Sequence, residues 1–279
     1  MTFQPVLPLP GLAGWNFLQE TYDSQLDTYS KSPSIQRDIE YFKEKFAQPL
    51  AVEDFLSDPR LRRVSLTAFG LNGEEWKTGY IRNILEEVQD PESTFLQRLN
   101  NTQYTNFAES LEPANGFINL LSSEIDTIAA RFAAESFELA VGSQNDSMRL
   151  ALNYRDGISE VVTEGSTDEA VLFKLLGSEP IRAVLDTALG IPADLAQLDI
   201  DRQAEYLEDR LKSQFGISNV QELKDPEVVD AVLKRFQILA GINQNFAATS
   251  SASTALVLLG NAAAGFGAVA SQNLFLSGF

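Results

Sequence analysis

The chain has 279 residues, with 39 acidic side chains against 21 basic ones, a formal net charge of −18, and neither cysteine nor histidine. Such a field repels phosphate backbones and argues against a nucleic-acid partner. Lack of cysteine removes disulfides, thiolate metal sites and a Cys nucleophile; lack of histidine removes a Ser-His-Asp triad and His-bearing zinc or haem sites, so any catalysis would fall to carboxylates, Lys, Tyr or a cofactor.

Residues 1–19 carry no charged side chain, and Pro5, Pro8 and Pro10 lie in an extended run. No basic n-region precedes an apolar core, so no secretory signal is read there. Helical spacing begins near Gly14 with Trp15, Leu18, Tyr22, Leu26 and Tyr29, and stops before Ser32-Pro33. Ile35, Ile39, Phe42 and Phe46 line a second helix closed by Pro49. The next stretch, Leu56 to Leu71, has both ends marked: Asp58 is an N-cap type, Pro59 suits the first helical position, and Phe69-Gly70-Leu71 is a stop in which Gly70 turns left-handed. Asn72 with Glu75 resembles a capping box and predicts a helix with Trp76, Tyr80, Ile84, Leu85 and Val88 inward. Asp90-Pro91 restarts the chain for Phe95, Leu96 and Leu99, and helix ends by Pro113. Gly116 precedes the longest helix, whose seam is Ile118, Leu121, Ile125, Ile128 and Phe132 and whose C-cap is Gly142.

The second half repeats this grammar. Met148, Leu150, Leu152 and Tyr154 open a helix that weakens at Gly157, and residues 158–163 fit a strand as well as a helix. Ser166 and Glu169 form another capping box, and Leu189-Gly190-Ile191 another stop, followed by Pro192. A helix capped by Asp201 buries Ala204, Leu207, Leu211 and Phe215 and stops at Gly216-Ile217; the last one follows Asp225 and stops at Gly241-Ile242. Thr67-Ala68-Phe69-Gly70-Leu71 matches Thr187-Ala188-Leu189-Gly190-Ile191, and Leu56, Leu99, Leu176 and Leu223 are each followed two residues later by an N-cap type. The expected fold is all-α: two internally duplicated helical units joined by a long central helix. The segments are 1–31, 32–115 (first unit), 116–145 (connecting helix), 146–245 (second unit) and 246–279 (tail).

No catalytic residue, cofactor or metal ligand is assigned. Gly260, Gly265 and Gly267 lack the Gly-Lys-Ser/Thr of a phosphate loop, and Asp194, Asp199 and Asp201 lack the Gly and distal Glu of an EF-hand. Asp156, between Arg155 and Gly157, reads as a solvated turn, while carboxylate pairs for glycoside cleavage stay open because their separation is not readable. Residues 236–279 are free of charge, and the apolar part from Ala255 to Ala270 is too short and broken for a membrane span. Leu256, Leu259, Ala263, Phe266 and Ala270 share one face at helical spacing: a partner surface, or else a packed Ala-rich helix or a floppy terminus.

Several stretches carry a resemblance. Gly14-Trp15-Asn16-Phe17-Leu18-Gln19 with Thr21-Tyr22-Asp23, Asp38-Ile39-Glu40-Tyr41-Phe42, Ala68-Phe69-Gly70-Leu71, Phe137-Glu138 with Val141-Gly142, Met148-Arg149-Leu150-Ala151-Leu152-Asn153 and Leu198-Asp199-Ile200-Asp201-Arg202-Gln203 resemble an alphaproteobacterial family of unknown function whose members often lie beside flagellar genes. The resemblance runs over about residues 1–259 and implies a role in motility, without catalytic residues to carry over. The expectation is a non-catalytic structural or assembly protein, cytoplasmic or flagellum-associated, whose partners are flagellar components or further copies of itself. The alternative is a carboxylate-dependent enzyme such as a peptidoglycan hydrolase acting in flagellar assembly.

Overall fold

Apolar residues at three- and four-residue spacing wind most of this chain into helices, and the all-α class holds. The computed structural model describes residues 3–88, 90, 95–99, 101–163 and 165–242. In chain order these are α1 (Gly11–Ser30), α2 (Pro33–Lys45), β1 (Leu50–Ala51), α3 (Val52–Ser57), α4 (Pro59–Ala68), α5 (Thr78–Glu87), α6 (Phe95–Leu99), α7 (Thr102–Ser110), β2 (Pro113–Ala114) and β3 (Phe117–Ile118). There follow α8 (Ser122–Gln144), α9 (Asp146–Val161), α10 (Asp168–Gly177), α11 (Glu179–Leu189), a 3-10 turn (Ala193–Gln197), α12 (Ile200–Phe215) and a second 3-10 turn (Val220–Lys224). Among the described residues a further helix, α13, covers residues 226–242. The tail residues Leu256, Leu259, Ala263, Phe266 and Ala270 lie outside the described residues.

Local chemistry explains where α4 and α11 begin and end. Asp58 accepts the N–H groups of Arg60 and Leu61 at 2.9 and 3.0 Å, and Pro59 spends its missing donor where none is needed. At the other end Gly70 has φ +71, Gly70 N–H bonds Thr67 O, and Leu71 N–H bonds Leu66 O at 2.9 Å, a Schellman stop. In α11, Gly190 has φ +63 and Ile191 N–H reaches Asp186 O at 2.8 Å, the same stop. Gly216 ends α12 in the left-handed conformation as expected.

Buried apolar side chains gather into two clusters. One takes Ile35, Phe42 and Phe46 of α2 and its C-cap, Leu61 to Leu66 of α4, Ile81 to Leu85 of α5, and Ile125 to Ala133 of α8. The other takes Trp15 and Leu18 of α1, Phe137 and Val141 of α8, and residues of α9 to α13 as far as Phe236. α8 therefore changes core between Ala133 and Phe137, and α1, α2, α4 and α9 all pack on it.

Several expectations are corrected. Ile118 lies not on the α8 seam but in β3, which pairs antiparallel with both β1 and β2. Asn115 and Gly116, with φ +52 and +82, form the two-residue hairpin turn between β2 and β3, as an Asn-Gly pair favours. Leu121 is the exposed N-cap of α8. Trp76 is 76 % exposed in the turn before α5, because Glu75 Oε1 accepts Gly73 N–H and the helix starts only at Thr78. Thr167, not Ser166, caps α10, and α12 starts at Ile200 after Asp199, leaving Asp201 in its first turn. Residues 158–161 are helical, and α9 runs through Gly157.

Two glycines expected as stops are close-approach positions inside helices. A Cβ on Gly142 would stand 2.5 Å from Arg149 Cδ, so the bare backbone is what lets Arg149 lie across α8. A Cβ on Gly241 would meet Gly11 Cα at 3.5 Å; the end of α13 is pressed against the start of α1.

Candidate functional site

The changeover segment of α8 is where the polar chemistry of the interior concentrates. Glu138 is 4 % exposed, lying three residues before Val141 on the buried face. Both its oxygens are partnered: Tyr22 Oη of α1 donates to Oε1 at 2.9 Å, and Asn153 Nδ2 of α9 donates to Oε2 at 3.2 Å. Asn153 Oδ1 accepts from Arg149, which also holds Asp146. Tyr22 is fixed between the ring of Phe137, edge-on at 5.4 Å, and the guanidinium of Arg155, 4.6 Å from its centroid. Arg155 in turn pairs with Asp156 at 2.7 Å, so Asp156 belongs to α9 and to this cluster and is not in a turn.

Glu135 lies one helical turn before Glu138, half-buried, with Oε2 facing the stop of α4 at Gly70. Burial raises its carboxyl to about 7, and the charges of Asp156 and Glu160 push the same way against Arg131 and Arg149. Glu138 is raised by burial first, then by Glu135 and Asp156, against the Tyr22 hydrogen bond and Arg155. The two acids thus titrate as a pair well above the ordinary carboxylate range. Tyr22 is shifted up by burial and by the carboxylate it serves.

Among the described residues no group of three or more His, Cys, Asp and Glu side chains is arranged to hold a metal ion, and no helix is long and apolar enough to cross a membrane. Shallow depressions of about 230 and 220 Å³ flank α8. One is lined by Tyr29, Ser32, Ser143 and Gln144, the other by Phe69, Glu109, Thr127 and Arg131. The acid pair escaped sequence reasoning, although one signal was present: Glu138 falls on the apolar stripe of Phe132, Phe137 and Val141.

Fold and site together define an all-α protein with two cores and an acid pair in the helix they share. Residues 68–229 match the model of the family described as "Protein of unknown function (DUF1217)", and the chain belongs to that family. The match includes Glu135, Glu138, Arg149, Asn153, Arg155 and Asp156, and is narrower than the resemblance over residues 1–259. The X-ray crystal structure of protein AGR_C_984 from Agrobacterium tumefaciens is similar, with a TM-score of 0.66 and 23% identity, covering 86% of this chain and 99% of that one. At that identity the likeness speaks for the fold. No curated protein matches the chain.

Proposed function

We propose that this chain is a non-catalytic structural or assembly protein of the bacterial flagellum, and that it meets its partners, flagellar components or further copies of itself, through its uncharged C-terminal end. One observation carries the reading. On α13, Ile238 and Ile242 are 47 % and 43 % exposed, one turn apart, where charge has ceased. All of the −18 lies between Glu20 and Arg235. An acidic body keeps copies and partners apart, so contact is least opposed where charge is absent. Leu256, Leu259, Ala263, Phe266 and Ala270 would extend the apolar face beyond the described residues, and the resemblance to a family found beside flagellar genes supplies the setting. We also read the two helical units as copies of one, which the matching stops of α4 and α11 support.

The test is the double substitution Ile238→Glu/Ile242→Glu. Both side chains are exposed, so circular dichroism and melting should stay as in the wild type. Sedimentation of the purified chain, and capture of flagellar components from motile cells, should lose the association. Association that survives both charges would refute the reading.

A second reading, the carboxylate-dependent hydrolase, draws support from Glu135, whose carboxyl at about 7 suits a general acid near neutral pH, with Asp156 as the second carboxylate. Clearing of suspended peptidoglycan by the wild type but not by Glu135→Gln would establish it.

A further inference from the structure

The Glu135–Glu138 pair stands at the place where α8 passes from one core to the other, and three other elements converge on it. α1 brings Tyr22, and its Tyr29 donates to Ser136 O at 3.0 Å. α9 brings Asn153, Arg149, Arg155, Asp156 and Glu160. The α4 stop brings the backbone of Gly70, with the Gln103 amide of α7 at 2.6 Å from the place of its missing Cβ. Arg131 of α8 itself is turned over the Phe69 ring at 5.5 Å. On α2, Lys43 pairs with Asp126 three turns earlier on α8.

We propose that this pair is a proton-operated joint: with one proton between them the two acids tie α1 and α9 to α8, and with none they repel each other, Asp156 and Glu160 and loosen the seam between the two cores. The donors explain the asymmetry. Tyr22 and Asn153 provide two hydrogen bonds to one carboxylate, Glu138, so the site accommodates a single charge. A second charge at Glu135 has Arg131 and Arg149 within reach, but each is already engaged, with the Phe69 ring and with Asp146. Like charges three residues apart on a helix oppose one another, and more so away from water.

The sign follows from linkage. Between the ordinary carboxylate value of 4.5 and the raised folded value of about 7 at Glu135, the folded chain holds protons that the unfolded chain has released. The stabilisation is therefore full in acid and is lost as pH rises through neutrality.

Amide hydrogen exchange of the full chain, corrected for intrinsic rates, measures this at about pH 6 and about pH 8.5. In the wild type, protection of α1 and α9 should fall at least tenfold across that range, as loss of a single linked proton requires, and further where both acids release theirs. In Glu135→Gln/Glu138→Gln it should stay level. An equal fall in the double variant, or none in the wild type, overturns the joint. Should the double variant fail to fold, infrared spectra of the wild type decide: a protonated-carboxyl band present at the lower pH and gone at the higher supports it, and no such band at the lower pH defeats it.

Discussion

At the end of α4 the Leu71 N–H turns back to Leu66 O, and at the end of α11 the Ile191 N–H turns back to Asp186 O. The two stops are the same in kind, yet what surrounds them differs. The α11 stop is closed by cations: Arg210 donates to Leu189 O and Arg235 to Ala188 O, where the negative end of the helix favours positive charge. The α4 stop faces the Gln103 amide and the half-buried Glu135, and so belongs to the acid pair in α8. The starts differ too, since Asp58 caps α4 through two backbone N–H groups while Ser178 makes no side-chain cap bond for α11. One stop thus serves two purposes, one closing a helix against arginines, the other setting a helix end against a titrating group.

Substitutions at the stops sharpen the contrast most. Gly190→Ala should cost about 1 kcal/mol, for the left-handed backbone alone, because Arg210 Nη2 stands 3.6 Å from the new Cβ and gives no clash. Gly70→Ala should cost more, about 2 kcal/mol, because the Gln103 amide must also move away from the Cβ. Urea denaturation of both variants measures this, and equal losses would mean that the surroundings of the α4 stop do not matter.

The starts come next. Asp58→Ala should destabilise by about 1.5 kcal/mol, since it removes two cap bonds and the 2.5 Å hydrogen bond from Tyr41 Oη. Ser178→Ala should stay within about 0.5 kcal/mol. A loss at Ser178 matching that at Asp58 would break the comparison.

Acid should separate the two helices by a smaller margin. Burial alone would raise Asp58, but Tyr41 and the N–H groups of Leu61 and Arg60 outweigh it and hold the carboxyl below 3.8. Its contribution is present above 3.8 and lost as pH falls through the lower folded value. Asp186 of α11 is shifted the other way, raised by burial against Arg182, so its contribution is greatest in acid and is lost as pH rises through the raised value. Exchange at Arg60 and Leu61, corrected for intrinsic rates, should therefore quicken on acidification below about pH 4, while α11 amides hold their protection. Parallel behaviour of the two helices would contradict these assignments.

What could be read from residues alone was the chemistry that acts within one turn. Asp58, Asn101, Gly70, Gly190 and Gly216 do in the structure what their types announce. Gly142 and Gly241 read the same way locally but have another use, because what decides it is Arg149 in one case and Gly11 in the other, side chain and backbone brought in by packing. Asn115-Gly116 was a readable hairpin signal, hidden by the strong helical spacing that follows it. The acid pair was hidden for a further reason: Glu138 is explained by Tyr22, 116 residues away, and by Asn153 on the next helix, and helical periodicity reports neither.

If the uncharged tail is the partner surface proposed above, the acidic body must stand without it. Among the described residues the second core already closes with Val232, Leu233 and Phe236 buried. The direct measurement is the thermal melt, by circular dichroism, of a chain ending at Thr249 beside the full chain. On the partner reading the two melting midpoints lie within about 2 °C of each other. A midpoint lower by about 10 °C or more would mean that the tail fills the core of the second unit, and would contradict it.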